Sequence, residues 1–166
     1  MTLNRRDPKA PRAERGVAAI ENHQGVVRVQ VRPLELFLQG VKDELGLRGD
    51  CVGVRLIRDG EMARLNGKYR GKKRTTDVLS FPMEERQKPE LRGNPKRKQR
   101  GAFLGDIAIS PVVARRNARA LGRKLQDELQ VLVLHGVLHL LGYDHEADRG
   151  EMEGVEMRLR RRLGIG

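Results

Sequence analysis

The sequence predicts an α+β domain: a mixed four-stranded sheet packed with helices around a central helix that carries histidines. Three observations lead there. The chain has 166 residues, the size of one domain. Its apolar residues recur first at a period of two and then near 3.6, in the order β-α-β-α-β-β-α-α-α, an α+β layer order. The segment 125–141, which contains "LQVLVLHGVLHLL", is apolar nearly all round, as a centrally buried helix must be.

Each element has its own signal. Residues 1–25 are charged and rich in Pro, Gly and Ala, and read as a basic flexible extension preceding a single domain at 26–163. "VVRVQVR" (26–32) alternates apolar and polar residues like a half-buried strand. Pro33 then sits in the first turn of an amphipathic helix marked by Leu34, Leu36, Phe37, Val41 and Leu45. "CVGVRLI" (51–57) is the second strand, and Asp59 is the expected N-cap of a short helix through Leu65. "TTDVLSFP" (75–82) is a strand stopped by Pro82. Residues 84–100 hold seven basic and three acidic side chains with two prolines, and read as a basic loop insertion. "FLGDIAIS" (103–110) is the fourth strand. Ser110 and Pro111 supply the N-cap and N1 of a helix to about 121. Helices at about 124–141 and 148–163 complete the chain.

Composition limits the function classes. The chain carries 34 Lys plus Arg against 22 Asp plus Glu, a formal charge of +12. Such a balance favours an acidic partner, nucleic acid first. Three Phe, two Tyr and no Trp leave little for base stacking, so phosphate contacts must dominate. The single cysteine, Cys51, excludes an intramolecular disulfide and a Cys-rich zinc module. No signal-peptide pattern and no apolar run of about 20 residues is visible, so a cytoplasmic protein with no membrane partner is expected.

"HGVLHLLGYDH" (135–145) holds three of the four histidines. His135 and His139 are i and i+4, about 40° apart around a helix axis and about 6 Å apart along it, so both rings can reach one ion. Gly142 can end the helix in a left-handed conformation, letting the chain fold back so that His145 approaches from outside. Three nitrogen ligands and an open fourth position are the layout of a catalytic zinc site, with one Zn²⁺ per chain. Three separately satisfied histidines, or a metal that only braces the fold, are the alternatives; no fourth Cys or His lies nearby, which weighs against the brace. His23, in the extension, is expected to be exposed. The spacing matches H-E-x-x-H-x-x-G-x-x-H of zinc peptidases except that Gly136 stands where their Glu acts as base. A glycine cannot take a proton, which points away from peptide hydrolysis. A metal with nearby cations suits a phosphodiester.

These stretches carry a resemblance. "HGVLHLLGYDH", with "LNGKYRG" (65–71), "TTDVLSFP" (75–82) and "LGDIAIS" (104–110) upstream in the same order, resembles the YbeY family of bacterial metal-dependent endoribonucleases, over about residues 26–163. The resemblance implies zinc held by His135, His139 and His145, a cytoplasmic setting, and action on ribosomal RNA of the small subunit together with its assembly factors, in 3′-end processing and ribosome quality control. Arg70 matches the arginine of the family's active-site cleft, which makes Arg70, His135 and His139 the candidate catalytic residues. Arg70 has a fork geometry suited to a scissile phosphate; Lys72, Lys73 and Arg74 beside it are candidate substrate contacts. "GKYRGKK" lacks Walker spacing, so no nucleotide cofactor is expected. Thr76, Asp77 and Ser80 could hold the site as turn and strand-edge residues. Asp106 could hydrogen-bond a ligand histidine from behind or be a strand-end residue, with nothing to choose between them. Tyr143 and Asp144 could orient His145, and Asp144 is the nearest candidate base. Glu146 is expected at the surface. The long extension and the basic loop at 84–100 depart from the family pattern without touching a motif. The rival readings are a zinc metallopeptidase and a non-catalytic ribosome-associated protein with a structural metal.

Overall fold

A computed structural model of the chain describes residues 20–47, 49, 51–83 and 103–166. The elements run β1 (Ile20–Asn22), α1 (Val31–Leu45), β2 (Val52–Leu56), α2 (Asp59–Arg70), β3 (Val78–Pro82), β4 (Gly105–Ile109), α3 (Pro111–Ala120), α4 (Leu125–Leu140) and α5 (Glu151–Leu163). The strands form one sheet in the order β1-β2-β4-β3. β1 and β2 are parallel, as are β2 and β4, whereas β3 lies antiparallel to β4. The fold is thus α+β with a mixed sheet, in the element order the sequence predicts. Pro82 falls on the edge strand β3, where a missing N–H costs no ladder bond. Among the described residues no helix is long and apolar enough to cross a membrane.

Alternation along β4 divides the core. Ile107 and Ile109 join a large cluster with Leu134, Val137 and Leu138 of α4 and Leu34, Leu38 and Val41 of α1. Ala108 faces the other way, against Met62 and Leu65 of α2 and Leu79 and Phe81 of β3. The sheet is therefore covered on one face by α4 and α1 and on the other by α2. Helix α4 also meets α3 and α5, which explains why its sequence is apolar nearly all round.

Two elements differ from expectation. Residues 26–30 are not a strand, although their alternation is real: Val26 is exposed and Val27 buried. The backbone groups of Val26 and Val27 are bonded by the buried Gln24 side chain instead. Its Oε1 accepts from Val26 N at 3.1 Å and Val27 N at 2.9 Å, and its Nε2 donates to Val27 O at 2.8 Å. The edge strand is Ile20–Asn22, so the described fold begins inside the expected extension. Asp59 does not cap α2: it is the first residue of that helix and accepts from the hydroxyls of Thr75 and Ser110. At its other end α2 continues past the expected Leu65 and ends on Arg70, before Gly71 in a left-handed conformation. Residues 1–19 and the basic loop at 84–100 lie outside the described residues.

Both ends of α4 are fixed. Asp127 and Glu128 complement the dipole in its first turn, and buried Glu128 pairs with Arg123 at 3.0 Å. At the other end Gly142 has φ 95°, Gly142 N donates to His139 O at 3.0 Å, and Tyr143 N donates to Leu138 O at 3.1 Å. This is the left-handed stop expected from the sequence, in the Schellman form.

Midway along α4, Gly136 sits directly on β4. A Cβ placed there would lie 2.8 Å from two carbons of Ile107. Gly136→Ala is therefore expected to lower unfolding free energy by about 1–3 kcal/mol, because a close-packed contact must open. Gly60→Ala, on α2 with nothing within 4 Å of its Cβ, is the comparison and should not destabilise. Denaturant titration of both variants checks this; equal effects at the two positions would refute the packing account.

Candidate metal centre

His135 and His139 project from α4 about a quarter-turn round from the sheet-facing Gly136. Both are half-buried, and the exposed His145 reaches them from the turn that follows Gly142. The Nε2 atoms of His135 and His139 lie 3.0 Å apart. His145 stands with its ring centroid 5.6 Å from that of His135 and 5.5 Å from that of His139. One nitrogen from each of the three rings lies within 4.8 Å of the others, so the group could hold a metal ion. Zn–N bonds of about 2.0–2.1 Å in a tetrahedron place ligand nitrogens about 3.4 Å apart, close to the observed helix pair. The donor set fits a borderline-soft divalent cation such as Zn²⁺.

Each helix histidine is held from behind. His135 Nδ1 lies 3.1 Å from Oε2 of Glu156 on α5, and Glu156 Oε1 lies 3.7 Å from Arg160 Nη1. His139 hydrogen-bonds the Tyr143 backbone. A groove of about 650 Å³ opens beside His135 and His145, lined by Met152, Glu156, Met157, Arg160 and Ile165 among others.

The structure distributes the other expected residues. Tyr143 contributes its main chain to His139, while its ring packs against the core. Asp144 shapes the turn: its Oδ1 accepts from Glu146 N at 3.0 Å, and its carbonyl accepts from Ala147 N and Asp148 N. Its charge also bears on His139. Glu146 is exposed. Asp106 takes the strand reading, not the histidine-partner one. Buried in β4, it shares the sheet face of Ala108, opposite the Ile107 and Ile109 face that meets α4. The hydrogen bond expected from it at a ligand histidine comes from Glu156 instead.

Arg70 is exposed at the C-terminus of α2, followed by exposed Lys72, Lys73 and Arg74. The segment is pinned by Asn66, whose Nδ2 donates to Arg74 O at 2.7 Å and whose carbonyl accepts from Lys72 N at 3.3 Å. Among the described residues, neither an ion pair nor a hydrogen bond joins Arg70 to the histidines. Asp77 accepts from Val78 N and from the Asn117 side chain, and Ser80 Oγ donates to the Gly136 carbonyl at 3.2 Å. Ser80 thereby ties β3 to the histidine helix. Sequence reasoning missed Glu156. It is one carboxylate among several in "EMEGVEMRLR", and only the packing of α5 on α4 singles it out.

Burial holds His139 below the ordinary imidazole value of 6.5; charge on His135 and His145 lowers it further, while Asp144 and the Tyr143 backbone oppose the shift. A folded-state pKa below the unfolded one stabilises the fold fully above the unfolded value of about 6.5, and that stability is lost as pH falls through the folded value. The melting temperature of the metal-free protein should therefore drop below about pH 6.5, and less steeply for His139→Gln. Melting profiles of the two from neutral to acid pH decide it; parallel profiles would contradict this account of His139.

The sequence model of the family described as "Endoribonuclease YbeY" matches residues 19–164. Proteins of that name are similar over most of the chain. The one from Koribacter versatilis is 42% identical over 137 residues, 82% of this chain and 80% of its own. The one from Solibacter usitatus is 46% identical over 132 residues, 80% of this chain and 78% of its own. The solution structure of a Thermotoga maritima protein superimposes with a TM-score of 0.55 at 31% identity, covering 87% of each chain. With the family's sequence model matched over most of the chain and relatives at 42% and 46% identity, the chain belongs to the YbeY endoribonuclease family.

Proposed function

We propose that this protein is a cytoplasmic, zinc-dependent endoribonuclease that cleaves single-stranded ribosomal RNA, in 3′-end processing of the small-subunit RNA and in ribosome quality control. The observation that carries the metal-dependent part is the convergence of His135, His139 and His145 to within 4.8 Å in a chain of this family. The three histidines hold one Zn²⁺ through ring nitrogens. When bound, the ion supplies Lewis acidity toward water and a phosphoryl oxygen. Arg70 grips the scissile phosphate with its planar fork, and Lys72, Lys73 and Arg74 contact neighbouring phosphates. The bend that fixes this segment through Asn66 lowers the entropy lost when it grips a strand. The basic stretches at 1–19 and 84–100, which precede β1 and interrupt the domain, add affinity through phosphates and make binding salt-dependent. The small ribosomal subunit and its assembly factors are the partners this reading requires.

Neither rival is favoured. A peptidase of the zinc type needs a glutamate after the first histidine, and the space beside Gly136 is filled by Ile107. A structural metal without catalysis leaves the exposed cations at 70–74 without a task, and the related proteins are named endoribonucleases.

The test uses purified protein with a small-subunit RNA 3′-end precursor and with casein, each with and without chelator. RNA cleavage should vanish with chelator and return with Zn²⁺, and casein should stay intact. Arg70→Ala should reduce cleavage by about 10²–10³-fold, the cost of removing one preorganised charge-stabilising group, with metal content and melting temperature unchanged. Intact RNA beside cut casein would establish the peptidase, and an Arg70→Ala variant of full activity would remove the phosphate clamp.

A further inference from the structure

We infer that Glu156, braced by Arg160, is the positioning residue that fixes the tautomer and ring orientation of His135 and thereby tunes the affinity of the three-histidine site for a divalent cation. The inference deepens the proposed function and rests on its metal site. An ionised carboxylate only accepts hydrogen bonds. At 3.1 Å from Glu156 Oε2, the bond favours the His135 tautomer with its proton on Nδ1, which in the neutral ring leaves the Nε2 lone pair facing His139. His139 spends its own bond on the Tyr143 backbone, and its Nε2 faces back across 3.0 Å. In the tautomer with both Nδ1 atoms protonated, the two Nε2 lone pairs face each other across 3.0 Å, and a cation between them accepts both. Glu156 is itself not free to swing. Its second oxygen meets Arg160 one turn further along α5, and the two side chains are only 16% and 22% exposed. Three links therefore run from α5 to the site: Arg160 to Glu156, Glu156 to His135, and His135 to the ion. A carboxylate behind a ligand imidazole also raises its basicity and adds a negative charge to the outer layer of a cation site.

The test compares the full chain with Glu156→Ala, Glu156→Gln and Glu153→Ala. Glu153 lines the same groove and has the same charge, but it is exposed and makes no bond to the histidines. Zn²⁺ affinity is read by competition with a chromophoric chelator. Glu156→Ala should weaken binding about 10–100-fold, Glu156→Gln less because its amide oxygen still accepts, and Glu153→Ala negligibly. The tautomer is read separately, by long-range ¹⁵N–¹H NMR of the metal-free protein with its imidazoles neutral. His135 should be protonated at Nδ1 in the parent chain and shift toward Nε2 in Glu156→Ala. Unchanged affinity and tautomer in Glu156→Ala would overturn the inference, as would equal weakening by Glu153→Ala, which would mean that charge alone matters. A parent chain that binds no Zn²⁺ would overturn both the metal reading of the site and the affinity claim made here. Tight Zn²⁺ binding by the parent and by Glu156→Ala alike would overturn only this inference.

Discussion

Everything in the site depends on how closely α4 lies against β4. At Gly136 the helix backbone approaches the Ile107 side chain so nearly that no Cβ fits between them. That contact sets the rotation of α4 about its own axis. With position 136 turned to the sheet, positions 135 and 139 must emerge together about a quarter-turn away, at the rim of the core. Ser80 reinforces the setting from the neighbouring strand by donating to the Gly136 carbonyl. A larger residue at 136 would push the helix off the sheet or roll it, and both histidines would move with it. The substitution that distinguishes this chain from zinc peptidases is therefore also a packing requirement.

The remaining parts are arranged around that fixed helix by decreasing rigidity. Two nitrogens come from a largely buried helix, packed by the sheet, α1, α3 and α5, where rotamers are limited by neighbours. The third comes from an exposed turn whose path is fixed at its start by the left-handed Gly142 and stiffened by Asp144. Such a turn can adjust to an ion without disturbing the core. Asp148 then closes the turn by accepting from Gly150 N and Met152 N, which launches α5 back along α4. The return brings Glu156 behind His135. A 22-residue stretch from His135 to Glu156 thus supplies both the site and its support.

How much of this was legible in the sequence follows from the range of each interaction. Ser110–Pro111, Gly142 and the i, i+4 histidines act locally, and their structures match what their residue types demand. The apolar stripe of α4 was equally plain, since burial on all sides leaves no polar face. The alternation in "VVRVQVR" misled because alternate burial does not require sheet pairing; the glutamine three residues ahead of Val27 supplies the hydrogen bonds a strand partner would have supplied. Asp59 misled in a similar way. Its carboxylate satisfies two hydroxyls distant in sequence, not the first turn of its own helix. Asp106 lies among the motif stretches in "LGDIAIS", but the two-residue period of a strand puts it on the far face of the sheet. Glu156 was invisible because its partner lies 21 residues away on another helix.

The charge distribution completes the case for a polyanionic substrate. The net charge of +12 is not consumed by internal pairing at the segment that matters: Arg70, Lys72, Lys73 and Arg74 are all exposed and, among the described residues, outside the ion pairs. The C-terminal end of α2 carries partial negative charge, which Lys68 and Arg70 offset in its last turn. Arg70 is thereby favoured at that end of the helix and, among the described residues, is bound to no carboxylate that a phosphate would have to displace. Carboxylates nearest the histidines behave differently: Glu156 is tied to His135 and Arg160, and Asp144 to the turn. These two carboxylates are spent on holding the histidines and their turn in place, and the cations of the 70–74 segment are left facing solvent. A peptide offers such a surface little, whereas each phosphate of a single strand offers a charge and two free oxygens.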